Sequence, residues 1–131
     1  MKNQPKTTFV PILAIPRGTV NIDFYKNAFG AIEYERWNND DGSAHVVELA
    51  IDDTQFRLHE ENLTKWTFSP TACNGVTAII GLLVDDVDRV MARALNAGAR
   101  KIASAMNYDY GYRKGEIADP FGHRWLIEAA I

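Results

Sequence analysis

Apolar residues recur at two spacings along this 131-residue chain, and each change of spacing marks an element. Residues 9–15, FVPILAI, are apolar almost throughout and predict a buried strand. Over residues 19–29 the spacing lengthens. Val20, Phe24 and Phe29, joined by Ile22 and Tyr25, predict a helix that Gly30 ends. A strand at 31–37 runs into NNDDGS, a cluster of turn-forming residues. Residues 45–51 and 55–60 then form a hairpin around Asp52-Asp53-Thr54. The order is β-α-β-β-β over about residues 9–60, and the polar stretch 61–75 reads as a linker.

The order repeats over about residues 76–131. A buried strand at 76–84 precedes a helix at 87–96 that stops before Gly98. Strands follow at 100–105, 113–118 and 122–128, with MNYDYGY as a long aromatic loop after the first of them. NAFGA at 27–31 resembles NAGA at 96–99, each just past its helix, and Gly30 and Gly98 stand about half a chain apart. The expectation is an α+β fold of two tandem β-α-β-β-β modules, the product of an internal duplication. The length suits one domain with a real core.

Alternation sorts the strands into faces. With the hairpin turning at Asp53-Thr54, Val47, Leu49, Ile51, Phe56 and Leu58 share an apolar face. Val46, Glu48, Ala50, Gln55, Arg57 and His59 share a largely polar one, with Glu48 and His59 as cross-strand neighbours. The same rule sets Leu13 and Ile15 against Ile12 and Ala14, and Ile80 and Leu82 against Ile79 and Gly81. It sets Trp125 and Ile127 against Arg124, Leu126 and Glu128. The bulky apolar sets belong under the helices, Trp125 among them. The other faces fit a ligand-lining cup or a plain solvent-facing sheet.

Composition narrows the function. A hydrophobic content of 47% with 24% charged residues is that of an ordinary soluble globular protein. The net charge of −3 argues against nucleic acid, whose phosphates call for a basic face. No apolar run approaches the roughly 20 residues of a membrane span, and the first residues lack the pattern of a signal peptide. The lone Cys73 excludes an internal disulfide and suits a reducing compartment, so a cytoplasmic location is expected. Beside Asn74-Gly75, Cys73 reads as an incidental loop thiol rather than a nucleophile.

Four segments carry a resemblance: VPILAIPRGTVNIDFYKNAFGA, VVELAIDDTQFRLHEE, LLVDDVDRVMARALNAGA and YGYRKGEIADPFGHRW. With them the chain resembles the glyoxalase/bleomycin-resistance/extradiol-dioxygenase (vicinal oxygen chelate) superfamily. DFYKNAFGA and DPFGHRW are most similar to its PhnB-like branch, often labelled demethylubiquinone methyltransferase-like. The resemblance implies paired modules whose strands curl into a cup, helices on the convex side, and usually a homodimer. The fold hosts many reactions and several pure binders, so it does not by itself assign one.

Metal-dependent relatives hold an ion with His, Glu or Gln on four strands, one each from the first, fourth, fifth and eighth. Motif matching places those positions at Val10, Arg57, Ile79 and Leu126. Three are hydrocarbons and the fourth is a permanent cation, so no metal cofactor is expected. Among the histidines, His59 with Glu48 is a candidate pair, His45 falls on the opposite face, and His123 closes the turn of DPFGH.

Candidate ligand residues are Arg57 and Arg124, whose planar forks suit a carboxylate or phosphate. Glu48 and Glu128 face the same space, so neutralisation of the arginines within the protein is an equal alternative. Tyr108, Tyr110 and Tyr112 suit either closure over a ligand or a dimer contact. Trp37 and Trp66 are further candidates. Two functions follow. One is a metal-free protein that sequesters a small organic, antibiotic-like or anionic compound in cups at a dimer interface. The other is a lyase or isomerase in which Glu48 and His59 move protons. No G-x-S-x-G nucleophile motif is present, and no glycine-rich cofactor loop supports a methyltransferase.

Overall fold

The computed structural model describes residues 6–131. Its first module runs β1 (Ile12–Ile15), α1 (Phe24–Phe29), β2 (Ile32–Asn38), β3 (Ala44–Ile51) and β4 (Thr54–Glu60). A short 3₁₀ turn (Leu63–Lys65) and helix α2 (Pro70–Cys73) occupy the connection. The second module runs β5 (Ile79–Leu83), α3 (Val87–Asn96), β6 (Arg100–Tyr108), β7 (Tyr112–Ala118) and β8 (Arg124–Ala130). Each module folds into its own four-stranded mixed sheet, ordered β1-β4-β3-β2 and β5-β8-β7-β6. The parallel pairs are β1 with β4 and β5 with β8. The α+β fold and the repeated β-α-β-β-β order are as the sequence predicts. The two sheets do not close into one.

The predicted faces hold. Val47, Leu49, Phe56 and Leu58 are buried, as are Leu13, Ile15, Trp125 and Ile127. Together with Tyr25 and Phe24 of α1 and Met91 and Ala94 of α3, they form one core shared by both modules. Taking such a side chain wholly out of water contributes about 1.5–3 kcal/mol. Tyr25 sits between the sheets, its ring 5.3 Å from Phe56 and 5.9 Å from Trp125. Phe56 and Trp125 are 5.7 Å apart, edge to face. The inner faces of the two sheets therefore meet across the helices, and the opposite, open faces point away from the core. Gly115 on β7 admits this packing: a Cβ there would lie 2.9 Å from the Met91 side chain of α3.

α3 matches its predicted span. Asp86 caps it by accepting a hydrogen bond from the Arg89 backbone N–H. α1 is shorter than predicted, because local bonds hold the preceding residues in other conformations. Thr19 bonds the Pro16 carbonyl through both its backbone N–H and its hydroxyl, and Asn21 accepts from the backbone N–H of Asp23. Gly30, at φ 70°, ends α1 as expected.

Three further expectations are corrected. The expected aromatic loop at 106–112 is mostly strand: β6 runs on to Tyr108, β7 starts at Tyr112, and only residues 109–111 turn. Tyrosine favours strands, and the two ends pair directly, Tyr108 opposite Tyr112. The connection at 61–75 contains α2, and Cys73 is the last residue of that helix rather than a loop residue. In the β3–β4 hairpin Ile51 pairs with Thr54, so the turn is Asp52-Asp53, with Asp52 at φ 51°. Asp tolerates that conformation, and two-residue turns fit the twist of a hairpin. The register thus slips by two residues, which leaves every face unchanged and alters every partner. No helix among the described residues is long and apolar enough to cross a membrane.

Candidate functional site

The slip decides which open-face residues meet. Glu48 lies opposite Arg57, and His59 lies opposite Val46. Glu48 and His59 are therefore not cross-strand neighbours, which corrects the expected pairing. On the other side of β4, Ile12 stands beside Arg57 and Ala14 beside His59. On the far side of β3, Trp37 stands beside Val46. Two adjacent rows result, one of Ile12, Arg57 and Glu48, the other of Ala14, His59, Val46 and Trp37.

Ile12, Trp37, Val46, Glu48, Arg57 and His59 enclose a pocket of about 300 Å³ on this face. Its walls are apolar and open to solvent: Ile12 is 58% exposed and Trp37 47%. Arg57 gives its Nε–H to Glu48 Oε2 at 3.2 Å, and the guanidinium side chain stays 40% exposed. An ion pair so exposed contributes about 0.2–1 kcal/mol, so it orients the guanidinium more than it stabilises the fold. His59 Nδ1 lies 2.6 Å from the Glu60 carbonyl oxygen, which can only accept, so Nδ1 carries the proton. In the neutral ring the lone pair is then on Nε2.

The open face of the second sheet repeats the theme with different partners. Arg124 Nη1 donates to Glu116 Oε2 at 2.8 Å, not to Glu128. Lys114 takes Glu128, Nζ to Oε1 at 3.5 Å. Tyr108 and Tyr110 stack at 5.5 Å, Tyr110 and Tyr112 lie 6.3 Å apart, and the Lys114 ammonium sits 5.1 Å over the Tyr110 ring. A hydrogen bond to the Tyr110 side chain raises Lys114 above the ordinary lysine pKa, and Glu128 adds to it. The sequence reading missed Lys114 and Glu116. The alternation of Tyr112, Lys114 and Glu116 against buried Gly115 and Ile117 on β7 was the available signal.

A cleft of about 400 Å³ lies where the modules meet, bordered by Ile12 and His59 on one side and Arg124 on the other. His123 spans this junction: its Nε2 lies 2.6 Å from the Ala14 carbonyl oxygen of β1. It is the backbone N–H of His123 that helps close the DPFGH turn, by donating to Asp119 Oδ1. His123 thus closes the turn by hydrogen bonding as expected, through its backbone, while its side chain reaches the first module. His45 pairs with Glu60 at 2.8 Å, and its ring lies 5.1 Å from that of His59, edge to face. Trp66 is 81% exposed on the connection.

The positions assigned to a metal do not fit one. Val10 lies outside β1, and the β1 residue beside Arg57 is Ile12. On the second sheet Ile79 stands beside Arg124, and Leu126 beside Gly81. Hydrocarbons and guanidinium groups offer no lone pair to a divalent cation. Among the described residues no three His, Cys, Asp or Glu side chains converge as a cation site.

An uncharacterised protein of Mycobacterium bovis is 36% identical over 120 residues, 89% of this chain and 79% of its own length. An Arabidopsis thaliana protein is 32% identical over 115 residues, 81% of this chain and 68% of its own. The X-ray structure of that Arabidopsis product matches with a TM-score of 0.69 at 25% identity, over 92% of this chain and 97% of the other. The fosfomycin resistance protein FosX of Listeria monocytogenes shares the fold, with a TM-score of 0.68 at 14% identity over 98% of this chain and 96% of its own. Residues 13–127 match a family profile, and the chain belongs to the Glyoxalase/Bleomycin resistance protein/Dioxygenase superfamily.

Proposed function

We propose that this chain is a metal-free binding protein of the PhnB-like branch that holds a small anionic organic compound against Arg57, in a cup completed by a second copy. The observation that carries this reading is the open pocket itself. A guanidinium oriented by Glu48 stands between the apolar walls Ile12 and Trp37, at the place where metal-dependent relatives are expected to hold an ion. A fixed guanidinium presents parallel N–H donors that match a carboxylate, phosphate or phosphonate.

The second copy supplies what one chain lacks, a cover. Both open faces expose large apolar residues, Ile12, Ile32 and Trp37 on the first and Ile79, Leu83 and Met106 on the second. Laid over the first face, the second face of another copy brings Arg124, Glu128 and Tyr108, Tyr110 and Tyr112 to the rim of the pocket. The lyase or isomerase reading has weaker support. The Nε2 lone pair of His59 suits a base, whereas Glu48 is engaged by Arg57 rather than by His59. A thermal-shift screen of anionic and neutral compounds tests the binder: anions raise the melting temperature, and Arg57→Ala removes the effect.

A further inference from the structure

We infer that the ligand is an aromatic carboxylate carrying a hydrogen-bond donor on its ring, an inference that rests on Arg57 gripping an anion. Three features of the pocket select this class. First, at about 300 Å³ it lies at the small end of ligand pockets, with room for one substituted ring. Second, its apolar lining is the half-exposed indole of Trp37 on β2, Ile12 on β1 at the other edge of the sheet, and Val46 on β3 between them. An indole face gains most from a flat, polarisable partner, because offset rings attract beyond the area they bury.

Third, Arg57 and His59 offer the pocket fixed polar groups of opposite kind, and Glu48, which also lines it, is the carboxylate that holds Arg57. Arg57 is engaged with Glu48 through Nε, so its terminal nitrogens are the edge that donates to a ligand. His59 gives its Nδ1 proton to the Glu60 carbonyl, so the neutral ring has only Nε2, an acceptor, to offer a ligand. Arg57 and His59 alternate on one face of β4, about 7 Å apart along the strand, a span that one ring with its substituents bridges. A ligand that satisfies both ends therefore accepts strongly at one and donates at the other, as a hydroxylated or amino-substituted benzoate does. An aliphatic carboxylate leaves the indole without a partner, and an unsubstituted benzoate leaves Nε2 unmet.

Calorimetric titration of the full chain at pH 7.5 with benzoate, its three hydroxy isomers and cyclohexanecarboxylate tests the class. Benzoate is expected to bind about fivefold more tightly than cyclohexanecarboxylate. The best hydroxy isomer is expected to gain about another fivefold. Trp37→Leu should erase the first preference and Trp37→Phe keep it; His59→Phe should erase the second. Trp37 is exposed and His59 half-buried, and thermal unfolding confirms that each of the three variants is folded. Equal binding of benzoate and cyclohexanecarboxylate overturns the aromatic class and leaves the anion reading standing. Failure of every hydroxy isomer to exceed benzoate overturns the donor. If no carboxylate binds at all, both the inference and the reading beneath it fall.

Discussion

The hydroxyl of Tyr25, on the helix of the first module, donates to Asp119 Oδ2 in the last turn of the second at 2.6 Å, across 94 positions of sequence. The same oxygen accepts from Trp125 Nε1, while Oδ1 accepts the backbone N–H groups of Phe121 and His123. A buried carboxylate met by four donors is satisfied, and it fixes how the two modules sit together. Burial, then the charge and hydrogen bond of Asp119, push the Tyr25 pKa well above its ordinary value, so the phenol stays a donor.

Removing this carboxylate strands donors from both modules in the core. Asp119→Ala is expected to destabilise the chain by about 3 kcal/mol or more, and Tyr25→Phe by about 1–2 kcal/mol. Urea unfolding measures both. A wild-type midpoint for Asp119→Ala contradicts the role given to the turn.

Glu60 predicts an acid response. Its burial alone would raise its pKa, but hydrogen bonds from His45 and Asn39 and the charges of Arg17 and His45 outweigh burial and hold it below the ordinary value. The unfolded chain then binds the proton more readily than the folded one. The contribution of Glu60 is complete above the unfolded pKa of about 4.3 and fades as the pH falls through the lower folded value. Melting temperatures taken between pH 5 and pH 3 should fall less steeply in Glu60→Gln than in wild type. Parallel curves contradict the assignment.

The exposed apolar residues predict the oligomer. Sedimentation equilibrium of the wild type should report a dimer, and Leu83→Glu, at a residue 72% exposed in one chain, should shift it toward monomer. Its chemical unfolding midpoint should be nearly independent of protein concentration, whereas that of the wild-type dimer should rise with concentration. A monomeric wild type contradicts the cup formed between copies.

Side chains without lone pairs at the metal positions predict metal content. Purified, untagged protein should contain less than about one ion per ten chains, since a specific site fills nearly completely. Near-stoichiometric zinc, nickel, iron or manganese would contradict the donor chemistry read at Val10, Arg57, Ile79 and Leu126.

Much of this was legible in the sequence because strand faces depend only on parity. Val47, Leu49, Phe56 and Leu58 reach the core whether the hairpin turns at Asp52-Asp53 or one residue later. Partners depend on register, and the two-residue slip replaced the expected Glu48–His59 neighbours by Glu48 and Arg57. The preference for two-residue turns and the tolerance of Asp for positive φ were the signals that could have set it. Short-range side-chain bonds at Thr19 and Asn21 hid the true start of α1, since apolar spacing carries no trace of them. The meeting of Trp37 with Arg57 spans two strand pairings and was not available from any local pattern.

Calorimetry on one matched pair tests the central claim most directly: the anionic compound that best stabilises the chain, and its neutral amide. The wild type should favour the carboxylate by about tenfold or more, and Arg57→Ala should remove that preference while leaving the amide within about twofold. An Arg57→Ala variant that still separates the two compounds as the wild type does would contradict an anion held by this guanidinium.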